Sequence, residues 1–181
     1  MDGSDNAKIS DFGVSHICEN NDDTVRGSAG TPAFMSPEAC KGETYGGYKS
    51  DIWALGITLY ALLYNVTPFH GESFIQIYNS IQYDDLEVPT PFEKDEKLKD
   101  LFSKLLDKNP ETRITLADFL THPWMTSDHE LDNLPEIPRT PVSETAETSP
   151  FEYDTKDRLL LIIKMKQRKY CLISCLNLFK V

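Results

Sequence analysis

Two short motifs carry the residue types that could do chemistry. Asp11-Phe12-Gly13 follows Ala7–Ser10, a stretch with the pattern of a β-strand, and a block of small and polar residues runs from Gly30 to Glu38. The carboxylate of Asp11 is the kind of ligand that a hard cation such as Mg²⁺ accepts. An Asp before a Gly is also common in simple turns. The tripeptide alone therefore decides little, and it has to be read together with the motifs that follow it.

Those later motifs occur in a characteristic order. Asp51, Trp53 and Gly56 share one apolar segment, Asn109-Pro110 precedes Arg113, and the triplet His-Pro-Trp closes the series at 122–124. Together with the DFG tripeptide and the Gly30–Glu38 block, this set resembles the C-terminal part of the catalytic domain of Ser/Thr protein kinases, from the DFG motif onward. The resemblance covers residues 1–126.

The resemblance implies a cofactor and a substrate site. It assigns Asp11 to Mg²⁺, which bridges the phosphates of ATP, and places Phe12 beneath that residue, with Gly13 completing the cofactor-binding motif. Thr31 matches the position where Ser/Thr kinases place a hydroxyl that bonds the catalytic Asp, although it also fits a simple turn before Pro32. ATP and Mg²⁺ are the implied cofactors, and a protein Ser or Thr is the implied substrate.

The resemblance also implies structural roles. Glu38 and Arg113 match a buried ion pair that ties the substrate loop to the helical base, and losing one partner of such a pair is costly. Asp51 matches a buried Asp that accepts backbone N–H groups from the catalytic loop, and Trp53 and Gly56 belong to the same helix. The alternatives are two unrelated surface charges for the pair and an ordinary N-terminal helix acid for Asp51.

Residues 14–29 correspond to the activation loop. Acidic and small residues dominate this stretch and favour a mobile, solvated segment. Thr24 and Ser28 are candidate phosphosites, and an unmodified loop is the alternative. The four His residues show no pairing, and we interpret all of them as structural or exposed (His16, His70, His122 and His129).

Helical patterns dominate the remainder of residues 1–126. The segment Ser50–Asn65 is apolar on every side except for Asp51, which predicts a central core helix because it is too short to span a bilayer. Further helices are predicted over Gly71–Tyr83 and Glu93–Lys108, and after Thr115, where Asp118 is a capping-box partner. Ala7–Ser10 is the one predicted strand. The predicted fold class is mainly α, the C-terminal lobe of a kinase-like fold without the N-lobe and catalytic loop.

Composition narrows the class of protein. The chain has 181 residues with 18 Lys and Arg against 29 Asp and Glu, a net charge of −11. This acidic balance argues against a nucleic-acid partner, which requires clustered basic residues. Four scattered cysteines favour reduced thiols over a disulfide framework or a metal site (Cys18, Cys40, Cys171 and Cys175). The polar N-terminus has no signal-peptide pattern, so the expected compartment is the cytosol, and no transmembrane segment is expected.

The last third of the chain divides in two. Residues 127–157 are rich in acidic residues, Pro, Ser and Thr, and we expect a disordered linker. Residues 158–181 are basic and apolar, and the stretch 157–169 has five basic residues against one acidic residue. Such a composition over 158–178 is typical of a calmodulin target or of a membrane-surface segment. A further helix packed on the domain and a disordered end are the alternatives.

The amino-acid sequences of these motifs most resemble those of the calcium/calmodulin-dependent protein kinase kinases, which phosphorylate Thr on the activation loops of other kinases. The stretches that carry this likeness are DFGVS, SAGTPAFMSPEA, SDIWALGITLYALLY and LLDKNPETRIT with the later HPW. The 181 residues contain no Gly-rich phosphate loop, no strand Lys and no H-R-D catalytic loop. We therefore predict that this chain alone is inactive, as a truncated record or a degenerate copy of a kinase. The alternative is a non-catalytic kinase-like module that binds partner proteins.

Overall fold

The computed structural model describes residues 13–18, 20, 22–27, 30–89 and 94–126. The predicted strand Ala7–Ser10, the linker 127–157 and the tail 158–181 lie outside these residues. The described part is mostly helical, as expected, with one small sheet. Six α-helices follow one another: α1 Pro37–Cys40, α2 Gly47–Tyr64, α3 Phe74–Tyr83, α4 Glu96–Leu105, α5 Leu116–Thr121 and α6 Pro123–Thr126.

Helix α2 is the centre of the core. Every residue from Ile52 to Tyr64 is buried, which confirms the prediction of a helix without a polar face. The helix ends at Asn65, whose φ of 60° places it in the left-handed region that Asn tolerates. In the part of the chain that the structure describes, no helix is both long and apolar enough to cross a membrane.

Helix α4 covers one side of α2. It presents an apolar stripe that was predicted from its spacing and that is fully buried (Leu98, Leu101, Phe102 and Leu105). The rings of Tyr60 on α2 and Phe102 on α4 meet edge to face with their centroids 5.4 Å apart. The helix is shorter than predicted, because the side chain of Asp95 accepts the N–H of Leu98 at 3.0 Å and so begins the helix at Glu96.

Helix α3 also begins later than predicted. Ser73 is the N-cap, and its hydroxyl accepts the N–H of Gln76 at 3.3 Å. Only the far end of the helix is deeply buried, through Ser80 and Ile81, whereas Phe74 and Ile75 are exposed. The helical spacing of the apolar residues of α3 suggests that all of them face the core, but Phe74 and Ile75 do not.

The predicted capping residue of α5 is in place. The Thr115 hydroxyl accepts the Asp118 N–H at 3.2 Å and donates to the Asp118 carboxylate at 2.7 Å. The carboxylate thus pairs with the hydroxyl, whereas a reciprocal capping box would direct it to the Thr115 backbone N–H.

A two-stranded sheet was missed. Strand β1, Thr24–Arg26, pairs antiparallel with β2, Thr44–Gly46, in the register Thr24 with Gly46 and Arg26 with Thr44. The prediction that only Ala7–Ser10 forms a strand is therefore wrong. Each strand has three residues, too few for an alternating pattern to be recognised, and their pairing depends on contacts between distant parts of the chain.

Candidate functional site

Glu38 and Arg113 lie together at the junction between the Gly30–Glu38 block and the helical core. Arg113 donates from Nη1 to Glu38 Oε1 at 2.6 Å and from Nη2 to Oε2 at 2.9 Å, which is a bidentate pair. Glu38 stands in the first turn of α1, which begins where the Ser36 hydroxyl accepts the N–H of Ala39. The carboxylate is mostly buried and the guanidinium completely so, at 12% and 0% side-chain exposure.

Two more N–H groups of Arg113 donate to backbone carbonyls. Nε donates to the carbonyl of Asp107 at 2.9 Å, and Nη1 donates to the carbonyl of Lys49 at 2.6 Å. The guanidinium lies over the indole of Trp53, 5.2 Å from the ring centroid. Lys49 in turn donates its ammonium group to the Arg113 carbonyl. One buried cation thus joins α1, the start of α2 and the loop before α5, and a buried charge needs such satisfaction.

Asp51 lies on α2, two residues after Lys49, whose carbonyl accepts from Arg113. Burial raises the pKa of its carboxyl to about 6, because the charged form loses hydration inside the protein. In the described ranges no donor hydrogen-bonds to this carboxylate. Burial also raises the pKa of Tyr45, and the negative charges of Asp51 and Glu38 add to that shift.

Trp53 and Gly56 have packing roles on α2. The Trp53 indole is fully buried between the Arg113 guanidinium and the ring of Phe69, which stacks on it at a centroid distance of 5.6 Å. At Gly56 a Cβ atom would lie 2.7 Å from Leu106 Cδ2. Glycine at this position therefore lets the end of α4 approach the backbone of α2.

Thr31 is exposed and lies apart from the ion pair. It precedes a short 3₁₀ helix, Pro32–Phe34, and its side chain makes no capping hydrogen bond there. Gly13 is exposed in a turn, whereas Asp11 and Phe12 lie outside the described residues. Their arrangement relative to Thr31 remains a prediction.

The two candidate phosphosites differ in what the structure describes. Thr24 begins β1 and is exposed, with its backbone N–H donated to Asp22 Oδ1 at 3.0 Å. Ser28 lies outside the described residues. Residues 24–26 are thus paired in a sheet, which the prediction of a solvated loop did not anticipate.

Sequence reasoning missed the residues that complete the site through their backbones. Lys49 and Asp107 hold Arg113 with carbonyl oxygens, which every residue type has, so their sequence gives no signal. Asp23, one of the acidic residues of the predicted solvated loop, contacts the first turn of α2. His122 is buried, with Nε2 2.9 Å from Asp100 Oδ2, which agrees with the structural one of the two roles expected for it.

No residue set for a metal ion is found within the described ranges, where no group of three His, Cys, Asp or Glu side chains converges. Cys18 and Cys40 are free thiols. Asp11, the candidate Mg²⁺ ligand, lies outside these ranges.

Comparisons with known proteins all find protein kinases. The sequence model of the family described as protein kinase domain matches residues 1–125. A probable serine/threonine-protein kinase of Dictyostelium discoideum is 45% identical over 136 residues, which are 70% of this chain and 19% of that protein. The serine/threonine-protein kinase GRIK1 of Arabidopsis thaliana is 40% identical over 121 residues, 67% of this chain and 30% of that protein.

A CBL-interacting protein kinase, number 5 of Oryza sativa subsp. japonica, is 36% identical over 132 residues, 72% of this chain and 28% of that protein. The chain thus spans between about a fifth and a third of the length of these curated relatives.

Proposed function

The chain belongs to the protein kinase domain family, and from that membership we propose that it is the C-terminal part of a Ser/Thr kinase catalytic domain. The activity of the whole protein would be transfer of the γ-phosphoryl group of ATP to a protein Ser or Thr. The observation that carries this proposal is the bidentate Glu38–Arg113 pair, because it fixes the segment after Thr31 to the helical base. The names of the similar proteins, all Ser/Thr or CBL-interacting kinases, support it as well.

Within this proposal the residues of the chain divide into two groups. Asp11 would hold Mg²⁺, whose chemistry is to neutralise charge on the ATP phosphates, and Phe12 and Gly13 would set the position of Asp11. The hydroxyl of Thr31 would bond the catalytic Asp of the whole kinase, on the side of the site where the protein substrate binds. Glu38, Arg113, Asp51, Trp53 and Gly56 would keep that side in place through the buried contacts described above.

We further propose that the 181-residue chain does not catalyse phosphoryl transfer by itself. The sequence has one candidate metal ligand but no Gly-rich loop, strand Lys or H-R-D loop, and transfer depends on positioning by all of these. The test is transfer of radiolabel from ATP to a generic protein substrate by the purified chain. We expect equal background signals from the chain and from Asp11→Ala; a signal from the chain that Asp11→Ala removes would contradict the proposal.

The parent activity needs a test at the level of the transcript. A reading frame that continues upstream of Met1 through an H-R-D-x-K-x-x-N segment would support the kinase proposal. A stop codon directly before Met1 in full-length RNA would instead favour the alternative, a non-catalytic kinase-like module that binds partner proteins.

The narrower proposal is a kinase of the calcium/calmodulin-dependent protein kinase kinase type, acting on the activation loops of other kinases. It rests on the sequences of the kinase motifs and on the basic and apolar composition of residues 158–178, which is typical of a calmodulin target. A synthetic peptide of residues 156–181 tests the second part. We expect it to gain helicity and bind calmodulin only with Ca²⁺; absence of calcium-dependent binding at micromolar concentration would refute it.

A further inference from the structure

The N-terminus of α2 is capped by a residue from a distant part of the chain. The first backbone N–H groups of a helix have no partner within it, and Gly46, the N-cap of α2, has no side chain to accept them. Asp23 accepts two of them. Its Oδ2 accepts the N–H of Tyr48 at 2.9 Å, and its backbone carbonyl accepts the N–H of Gly47 at 2.8 Å. A negative side chain is also favourable at this end of a helix.

Two glycines allow Asp23 to come this close. A Cβ atom at Gly46 would lie 3.3 Å from Asp23 Oδ2. A Cβ atom at Gly47 would lie 3.1 Å from the Asp23 carbonyl oxygen and 3.1 Å from Val25 Cγ2. All three distances are shorter than ordinary van der Waals contacts. The pair Gly46-Gly47 therefore forms a seat into which β1 and its preceding residue fit.

The sheet alone is too small to hold this segment. β1 and β2 have three residues each, and an isolated two-stranded ribbon is marginally stable in water even when it is longer. Thr24 and Arg26 are exposed, so β1 buries little apolar surface. The neighbouring Asp22 makes only a local contact of its carboxylate, accepting the N–H of Thr24. The contacts of Asp23 with Gly47 and Tyr48 connect this segment to a long helix, α2.

We propose that Asp23 is a positioning residue that latches residues 22–27 onto the N-terminus of α2. While the latch is closed, β1 is paired, and the chain leaves it through Gly27 and Gly30, whose φ angles of 88° and 120° favour glycine. The latch thereby sets where the segment leading to Thr31 departs from the core. This inference concerns the conformation of the segment and does not depend on the proposed phosphoryl transfer.

Trypsin cleavage after Arg26 reports the state of the latch. A protease needs an extended, unpaired segment, and Arg26 is paired with Thr44 while β1 is docked. In the 181-residue chain, we expect Asp23→Ala to speed cleavage at Arg26 by about tenfold, the size typical of a lost N-cap. Asp23→Asn keeps an acceptor oxygen and should cleave within about twofold of the wild-type rate. Asp22→Ala is the matched control, because it removes only the local contact.

Cleavage after the buried Arg113 serves as the internal reference, because that bond becomes accessible only when the core opens. A second variant separates the latch from helix stability. Gly47→Ala favours the helix by propensity but fills the seat of Asp23 and Val25. It should therefore leave the Tm unchanged or higher and still speed cleavage at Arg26.

Two results would refute the latch. The first is cleavage at Arg26 at the wild-type rate in both Asp23→Ala and Gly47→Ala. The second is an equal acceleration of cleavage at Arg26 and at Arg113.

Discussion

The guanidinium of Arg113 meets the carboxylate of Glu38, 75 positions earlier in the chain, at N–O distances of 2.6 and 2.9 Å. The pair is enclosed by Trp53 and by two backbone carbonyls, so solvent screening is weak. It connects the segment that would face a substrate with the base of the domain.

Removing Glu38 should be strongly destabilising. Glu38→Ala leaves the Arg113 cation buried with only carbonyl partners, and we expect a loss of about 3 kcal/mol or more in the free energy of unfolding. Urea denaturation measures it. Lys99→Ala is the control, since it removes an exposed ion pair with Glu96 and should cost about 0.5 kcal/mol or less. Equal losses in the two variants would contradict the assigned importance of the buried pair.

Adding a methyl group at Gly56 should disrupt the contact between α2 and α4. The new Cβ would lie 2.7 Å from Leu106 Cδ2 and 3.0 Å from Leu105 Cβ. We expect Gly56→Ala to cost about 1–3 kcal/mol, although alanine is the better helix former. Thermal unfolding checks this. The double variant Gly56→Ala/Leu106→Ala should show a smaller loss than the sum of the single variants, and strict additivity would argue against a steric cause.

The stability of the chain should depend on pH through Asp51. Burial raises the pKa of this carboxyl from 3.8 to about 6. Between about pH 4 and pH 6 the folded chain therefore holds a proton that the unfolded chain has released. The resulting stabilisation is complete below about pH 4 and is lost as the pH rises through about 6. Asp51→Asn should therefore gain about 1–3 kcal/mol relative to the wild type at pH 7 and little at pH 4. Denaturation at the two pH values decides, and a gain independent of pH would refute the assignment.

Asp95 should contribute both a cap and a link between helices. Its Oδ1 accepts the N–H of Leu98 at 3.0 Å, and its Oδ2 accepts the indole N–H of Trp124 at 3.2 Å. We expect Asp95→Ala to cost about 1–2 kcal/mol and to change the tryptophan fluorescence. Asp95→Asn retains an acceptor for the cap and should lose less. Ser73→Ala, which removes the exposed cap of α3, is the comparison that leaves the fluorescence unchanged.

The sequence by itself determined the family and the main helices. The ordered motifs from Asp11 to Trp124 identified a kinase domain, which the family match confirmed. The uniformly apolar residues 52–64 specified a buried helix, and the spacing of Leu98, Leu101 and Leu105 specified an amphipathic one. These features are local, since helical periodicity and capping act within a few residues.

Only the tertiary structure decided the contacts between distant residues. It brought together β1 and β2, placed Asp23 at the N-terminus of α2, and gave Arg113 the carbonyls of Lys49 and Asp107. Backbone acceptors carry no residue-specific signal, and three-residue strands are too short to show a period. The starts predicted for α3 and α4, at Gly71 and Glu93, were too early, because each helix begins only after its N-cap residue, Ser73 or Asp95.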